Sequence, residues 1–464
     1  MAWVLLSPAV FAQDEDAAPA AAEASPPEGY LELEVEAKLG RDLRLRVVAM
    51  RADGFKPGDQ AVFDKYYKKY VFPGWTDPDN WTKRKNPREG ILDDLRRAQP
   101  GAVYDRLNRL VLEQMVEMVG KNYHPVTRFN AMLMIGQLNV EEPGFNKPPK
   151  PLPKAFSILL SSAEDKNLPD AVRYGALLGI LRHCEYGAAD EESRQKISNL
   201  MFSLATMRDP PPGCSKEGHG WFRRLAIDTL GRLRSPGPQG AVAKAMVRIV
   251  SESDASLPVR CEAARALGRL RLTPQTGLDL GAVGKALEEL LIDIAKEEIR
   301  LRNIAEKKIR LTKENDDYKI DPSKLKARLI PIRAALTGYE NEEARVRAEE
   351  PIKGILGLAA GSEQEKPLLS LRQKVEYLLN KEHLDHKDLV PKVEKAKQKK
   401  PERDALLGMG HEGLGHEGPG AMGTGPIGGG DLLQPPDPAK VVSDRIMAEL
   451  IKLVEESEKR EATR

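Results

Sequence analysis

Cysteine is scarce in this chain of 464 residues: there are three, Cys184, Cys214 and Cys261. Three cannot build a disulfide framework, which excludes the small stapled folds of secreted mini-domains. Aromatics make up only 5% of the chain. That argues against a sandwich or barrel rich in Val, Tyr and Trp. Net charge is nearly absent, since Lys+Arg 72 against Asp+Glu 70 leaves +2. A dedicated nucleic-acid binder needs a basic excess on its binding face, so none is expected. No apolar run reaches the roughly 18–20 residues of a membrane span. The phosphate loop G-x-x-x-x-G-K-[ST], a strand-linked G-x-G-x-x-G, the elbow G-x-S-x-G and the zinc helix H-E-x-x-H are all missing. No catalytic residue and no cofactor is therefore assigned.

What remains is helix-forming sequence. Hydrophobic residues are 41% and charged residues 31%, a mix suited to Ala/Leu-rich helices with solvated outer faces. The length exceeds what one compact core usually holds and favours several domains or an elongated array. Residues 1–12 read as the back half of a signal peptide. Ala2 to Leu6 is apolar, and Val10-Phe11-Ala12 offers a small-x-small cleavage site before Gln13. The expected address is export, periplasmic or secreted, with a cytoplasmic location as the alternative. Residues 13–29, rich in Ala, Pro and acid, read as a disordered linker.

Residues 30–100 read as an N-terminal cap. Leu31, Leu33 and Val35 alternate with glutamates, and Leu43, Leu45 and Val47 alternate with arginines. This period of two predicts a β-hairpin over 30–48. An aromatic cluster follows: Phe63, Tyr66, Tyr67, Tyr70, Phe72, Trp75 and Trp81. It has two uses, a seal over the first repeat or a binding platform led by Trp75 and Trp81.

The decisive feature is an internal repeat. TRFNAMLMIGQL (127–138), VRYGALLGILRH (172–183), FRRLAIDTLGRL (222–233) and VRCEAARALGRL (259–270) share one pattern. Arg128, Arg173, Arg223 and Arg260 are each followed three residues on by Ala. Gly136, Gly231 and Gly268 stand five beyond that Ala, with Leu181 in the second copy. The arginines are 45, 50 and 37 residues apart, near the length of helical-pair repeats. The Ala suggests where neighbouring helices approach most closely, and the Gly relaxes crowding near the helix end. Residues 101–119, 151–163, 190–207 and 239–252 supply the partner helices. Helical pattern continues over 282–311, 323–338, 342–359 and 366–380.

These motifs resemble the HEAT-repeat, armadillo-like α-solenoid family, of an exported bacterial type. The resemblance is strong over about 101–271 and weaker to about 380. It implies an all-α, right-handed α-α superhelix over 101–384 that binds a protein partner. Family members commonly place an Asp ahead of the Arg to form a ladder between repeats; here only Asp170 before Arg173 fits. Arg128, Arg173, Arg223 and Arg260 either line the partner groove or bond the carbonyls of neighbouring helix ends.

Residues 385–437 read as a basic, then Gly-rich linker. Residues 438–464 read as an amphipathic helix with Val442, Ile446, Leu450, Leu453 and Val454 on one face. That helix docks back, pairs with a copy of itself or captures a partner. The basic run Lys392 to Lys400 reads as a solvated tail. Cys184 and Cys214 pair in an exported protein or stay as two thiols. His183, Cys184, Cys214 and His219 make a weak zinc set, because their spacing mixes ligand types. His383 with His386 reads as a solvated charged face, and His411 with His416, in the Gly-rich tether, offers at most weak capture of a divalent transition metal and no dedicated site. The function expected is a non-catalytic interaction scaffold. The alternative is an enzyme-associated, lyase-like cradle for a prosthetic group, built from His183, Cys184, His219 and Trp221.

Overall fold

The computed structural model describes residues 29–77, 87–98, 100–187, 190–312, 322–341, 344, 352–379 and 438–463. The expectations for the signal peptide, the Gly-rich linker, Trp81, the lysine run and His383, His386, His411 and His416 lie outside the described residues. The chain forms two compact units, Met1–Leu287 with Pro331–Glu365, and Glu288–Ile330 with Lys366–Arg464. The border falls inside the stretch read as one array.

In the first unit, α1 (Ala37–Asp53), α2 (Asp59–Tyr66) and α3 (Pro87–Arg97) form the N-terminal layer. α2 runs on through a π turn, Tyr67–Val71, to a short 3-10 turn, Pro73–Trp75. The β-hairpin expected over 30–48 is not formed, because α1 occupies most of that range. The alternation of Leu43, Leu45 and Val47 was misleading. Leu39, Leu43, Val47 and Met50 share a helical face, and Val47 and Met50 are buried. Leu45 is left 82% exposed. The segment before α1 is extended but lies on other elements: Leu31 N–H donates to the Asn122 carbonyl at 2.8 Å and Glu36 N–H to that of Lys69 at 2.9 Å.

Four hairpins follow. They are α4 (Ala102–Gly120) with α5 (Pro125–Gln137), and α6 (Pro153–Glu164) with α7 (Asp170–Glu185). Then come α8 (Glu191–Thr206) with α9 (Lys216–Leu233), and α10 (Ala241–Val250) with α11 (Leu257–Arg269). Caps set their starts. The Asp190 side chain accepts from Ser193 N–H at 2.7 Å, Ser215 accepts from Gly218 N–H at 2.9 Å, and prolines occupy the first turns of α5, α6 and α11. Each first helix packs on its second. The second helices α5, α7, α9 and α11 pack on one another in order, as the HEAT-like reading expects. A small antiparallel β pair, β1 (Asn139–Glu141) with β2 (Lys150–Pro151), joins α5 to α6.

The pattern alanines Ala131, Ala176, Ala226 and Ala263 are all fully buried. The closest approach between helices, however, lies at the glycines. A methyl on Gly136 would sit 2.8 Å from the Gly179 Cα, and one on Gly231 would sit 2.9 Å from the Ala266 Cα. The glycine is the crossing point itself, beyond a mere relief of crowding. After α11, helix α13 (Pro322–Thr337) gives residues from Pro331 on to this unit, and α14 (Gly354–Ala359) packs on α11.

The second unit contains α12 (Leu280–Thr312) from Glu288 on, the first part of α13, α15 (Glu365–Leu379) from Lys366, and α16 (Pro438–Ala462). α16 buries Ile446, Met447 and Leu450. Arg460 pairs with Glu288 at 2.9 Å and Asp444 with Arg302 at 3.6 Å, so this helix docks within its own unit. No helix among the described residues is long and apolar enough to cross a membrane.

The crossing points give a direct test. A methyl on Gly268 would fall 2.1 Å from the Ala334 carbonyl oxygen, whereas one on Gly90 meets nothing within 4 Å. Gly268→Ala is expected to destabilise by about 1–3 kcal/mol through overpacking. Gly90→Ala is expected to stabilise by up to about 1 kcal/mol through helix propensity. Urea unfolding of the two variants measures both; equal midpoints would contradict the packing assignment.

Candidate partner-binding surface

The four pattern arginines do the same thing in each hairpin. Arg128 Nε donates to the Val119 carbonyl at 3.0 Å, and Arg173 Nε to that of Ala163 at 3.4 Å. Arg223 Nε donates to the Ala205 carbonyl at 3.1 Å, and Arg260 Nε to that of Val250 at 2.8 Å. Each acceptor lies at the end of the first helix, where carbonyls have no intrahelical donor. A guanidinium there also complements the negative end of the helix dipole. Arg223 and Arg260 are 4% and 3% exposed, so these two are turned inward and do not line an open groove in this conformation. Arg223 also pairs with buried Glu252 at 2.6 Å. Arg128 and Arg173 are half-buried, and Arg173 stacks over the Phe222 ring of the next hairpin at 5.4 Å.

Nine residues beyond the pattern arginine, a second arginine recurs. Arg182 donates to the Gly136 carbonyl at 3.1 Å and to the Asn139 side chain. Arg232 pairs with Glu185 at 3.3 Å, and Arg269 pairs with Asp228. Each reaches back to the preceding hairpin. A ladder between repeats thus exists, at a position other than the one the resemblance implied. Asp170 instead pairs with Arg173 of its own helix at 3.1 Å.

With these arginines engaged, the open face of the second-helix layer is set by positions one and five after the pattern arginine. They hold Phe129 and Leu133, Tyr174 and Leu178, Arg224 and Asp228, and Cys261 and Arg265; all but buried Cys261 are half-buried. Val126 and Trp221 flank this stripe and are exposed. Trp221 meets Tyr174 edge-on at 6.5 Å, and Arg224 stacks over its ring at 5.2 Å. The stripe therefore passes from apolar and aromatic to charged along the array. The loop between β1 and β2 adds Phe145, 98% exposed. The loop is held by paired bonds between Gly144 and Lys147, 3.0 and 3.1 Å, and the Glu142 carboxylate below it accepts from Tyr104 at 2.9 Å and from Asn139 at 3.1 Å.

The other candidates fall elsewhere. Trp75 is 4% exposed among the rings of the N-terminal layer, where Phe63, Tyr67 and Phe72 are fully buried. It acts as core there, and its carbonyl accepts from Thr127 of α5 at 3.0 Å. Cys184 and Cys214 are free thiols. Cys214 lies beside Asp170 at the start of α7, while Cys184 lies at its end. Fourteen helical residues put those ends about 20 Å apart, far beyond disulfide reach. His183 and Cys184 lie at the end of α7, whose Glu185 pairs with Arg232 near the end of α9, whereas His219 and Trp221 lie in the first turns of α9, about three helical turns or more away, so neither the zinc set nor the prosthetic-group cradle assembles. Among the described residues, no three metal-ligating side chains gather. Burial pushes the Cys184 thiol up to about 12, away from thiolate chemistry.

No family model matches the chain. No curated protein matches it. Among solved structures, the crystal structure of Kap121p is similar to it at 13% identity with a TM-score of 0.32, covering 74% of this chain. The chain spans 37% of the length of that protein, and a likeness this distant carries no argument about function.

Two outcomes are expected. Arg223→Met strips a helix-end donor and leaves Glu252 buried beside only the more exposed Arg208. It should cost about 3–5 kcal/mol in urea unfolding, the range for a broken buried pair; a loss below 1 kcal/mol would contradict the clamp. His183 is fully buried without a hydrogen-bond partner. Burial first, then neighbouring Arg182, holds its imidazole down at about 4. The unfolded chain therefore takes up this proton first. The stability tied to a neutral His183 is complete above about pH 6.5 and is lost as the pH falls towards 4, by up to about 3 kcal/mol. His183→Leu should flatten the slope of stability against pH across that window, and an unchanged slope would contradict this assignment.

Proposed function

We propose that the chain is a non-catalytic platform for a protein partner, held on the open stripe of the second-helix layer. The observation that carries this reading is the run Val126, Phe129, Leu133, Tyr174, Leu178 and Trp221, drawn from three successive hairpins and bordered by Arg224, Asp228 and Arg265. Aromatic anchors beside Arg, with a polar rim, are the composition of interface centres. A right-handed superhelical course for the array and an exported address belong to the same proposal. The scattering of His183, Cys184, His219 and Trp221 weighs against the prosthetic-group alternative.

The test is quantitative affinity capture from native cells with the full chain, comparing Tyr174→Ser, Trp221→Ser and the distant surface control Leu45→Ser. The first two are expected to lose a protein that wild type and Leu45→Ser both retain. Equal capture by all four chains would sink the reading. So would recovery of a bound small molecule that the chain turns over.

A further inference from the structure

We propose that a cleft between α8 and the loop after α9 binds carboxylates of an acidic peptide segment on a partner. The cleft has a volume of about 290 Å³ and is lined by Arg194, Gln195 and Ser198 of α8, by Arg234 and Ser235, and by Arg271. The repeat itself builds the basic pair. Arg234 and Arg271 occupy equivalent positions eleven residues beyond Arg223 and Arg260. The Arg271 N–H donates to the Arg234 carbonyl at 2.9 Å, which sets the two residues side by side. Arg194 is oriented by its bond to the Leu233 carbonyl at 3.2 Å. The one acidic lining residue, Glu191, has a side chain 93% exposed and lies 3.8 Å from Arg194, so it offsets little of the charge.

Arg234 is the telling residue. It closes α9 with φ 58°, the left-handed conformation that helix ends normally assign to glycine. An arginine there carries a backbone penalty, and its guanidinium has no partner among the described residues. Guanidinium groups match carboxylates in a planar, two-bond geometry, and clusters of them are a known way to read acidic motifs. The cleft is polar and open, which suits side chains of an extended segment better than an enclosed small molecule.

This inference rests on the protein-partner reading, but its test needs no native partner. Fluorescein-labelled hexaglutamate is titrated with the full chain at low salt, followed by anisotropy, with hexaserine as control. Wild type is expected to bind hexaglutamate only, and more weakly as salt rises. Arg234→Gly should weaken binding at least about tenfold, the equivalent of one lost charge-assisted contact. Because glycine suits the left-handed turn, that variant should melt no lower than wild type. Arg271→Gln should weaken binding similarly. No binding by wild type, undiminished binding by Arg234→Gly, or competition by free glutamate at peptide-like concentration would each overturn the proposal. None of these would touch the stripe, whose variants are read separately.

Discussion

The hydrogen bond from a pattern arginine to the last carbonyls of the preceding helix is the constraint on which the first unit depends. Helix C-termini leave carbonyls without donors, and burying them unsatisfied is costly. In each hairpin one guanidinium closes that deficit: Arg128 on Val119, Arg173 on Ala163, Arg223 on Ala205 and Arg260 on Val250. The bond fixes where the second helix starts relative to the end of the first. The alanine three residues later then enters the core, and in three of the four the glycine five beyond it meets a small residue of the next packed helix: Gly136 on Gly179, Gly231 on Ala266 and Gly268 on Ala334. A second arginine, nine residues along, ties each hairpin to the one before.

This division of labour explains the open face. Residues spent on clamps and crossings are buried or engaged, so the open stripe is left to the positions one and five after each pattern arginine. Their chemistry varies freely from hairpin to hairpin, from Phe129 and Leu133 to Arg224 and Asp228. A repeat that is rigid in its clamps and free in its stripe can carry a binding surface without altering its fold.

Much of this was legible in the sequence. The spacing of arginine, alanine and glycine located all four second helices and their partners, because core packing imposes a period that sequence retains. The structural alternative for the arginines was also legible, from their place just inside helix starts. What was not legible depends on distance in space. A run of alternating leucines and arginines over 43–47 mimicked a strand, while the helical face of Leu39, Leu43, Val47 and Met50 prevailed through tertiary packing. The short β pair after α5 has strands of three and two residues, too short for any periodicity. Cys184 and Cys214 stood near in sequence, but a full helix separates them. The cleft joins Arg234 to Arg271 across a whole repeat, through a backbone bond that no local motif announces.

Hydrogen exchange of an Arg260→Met chain tests the clamp most directly. A clamp that couples helices within a hairpin predicts faster exchange at the end of α10 and the start of α11, with a smaller rise in α9 and none in α4 or α5. Unchanged protection at the end of α10, or an equal rise in all four hairpins, would contradict it.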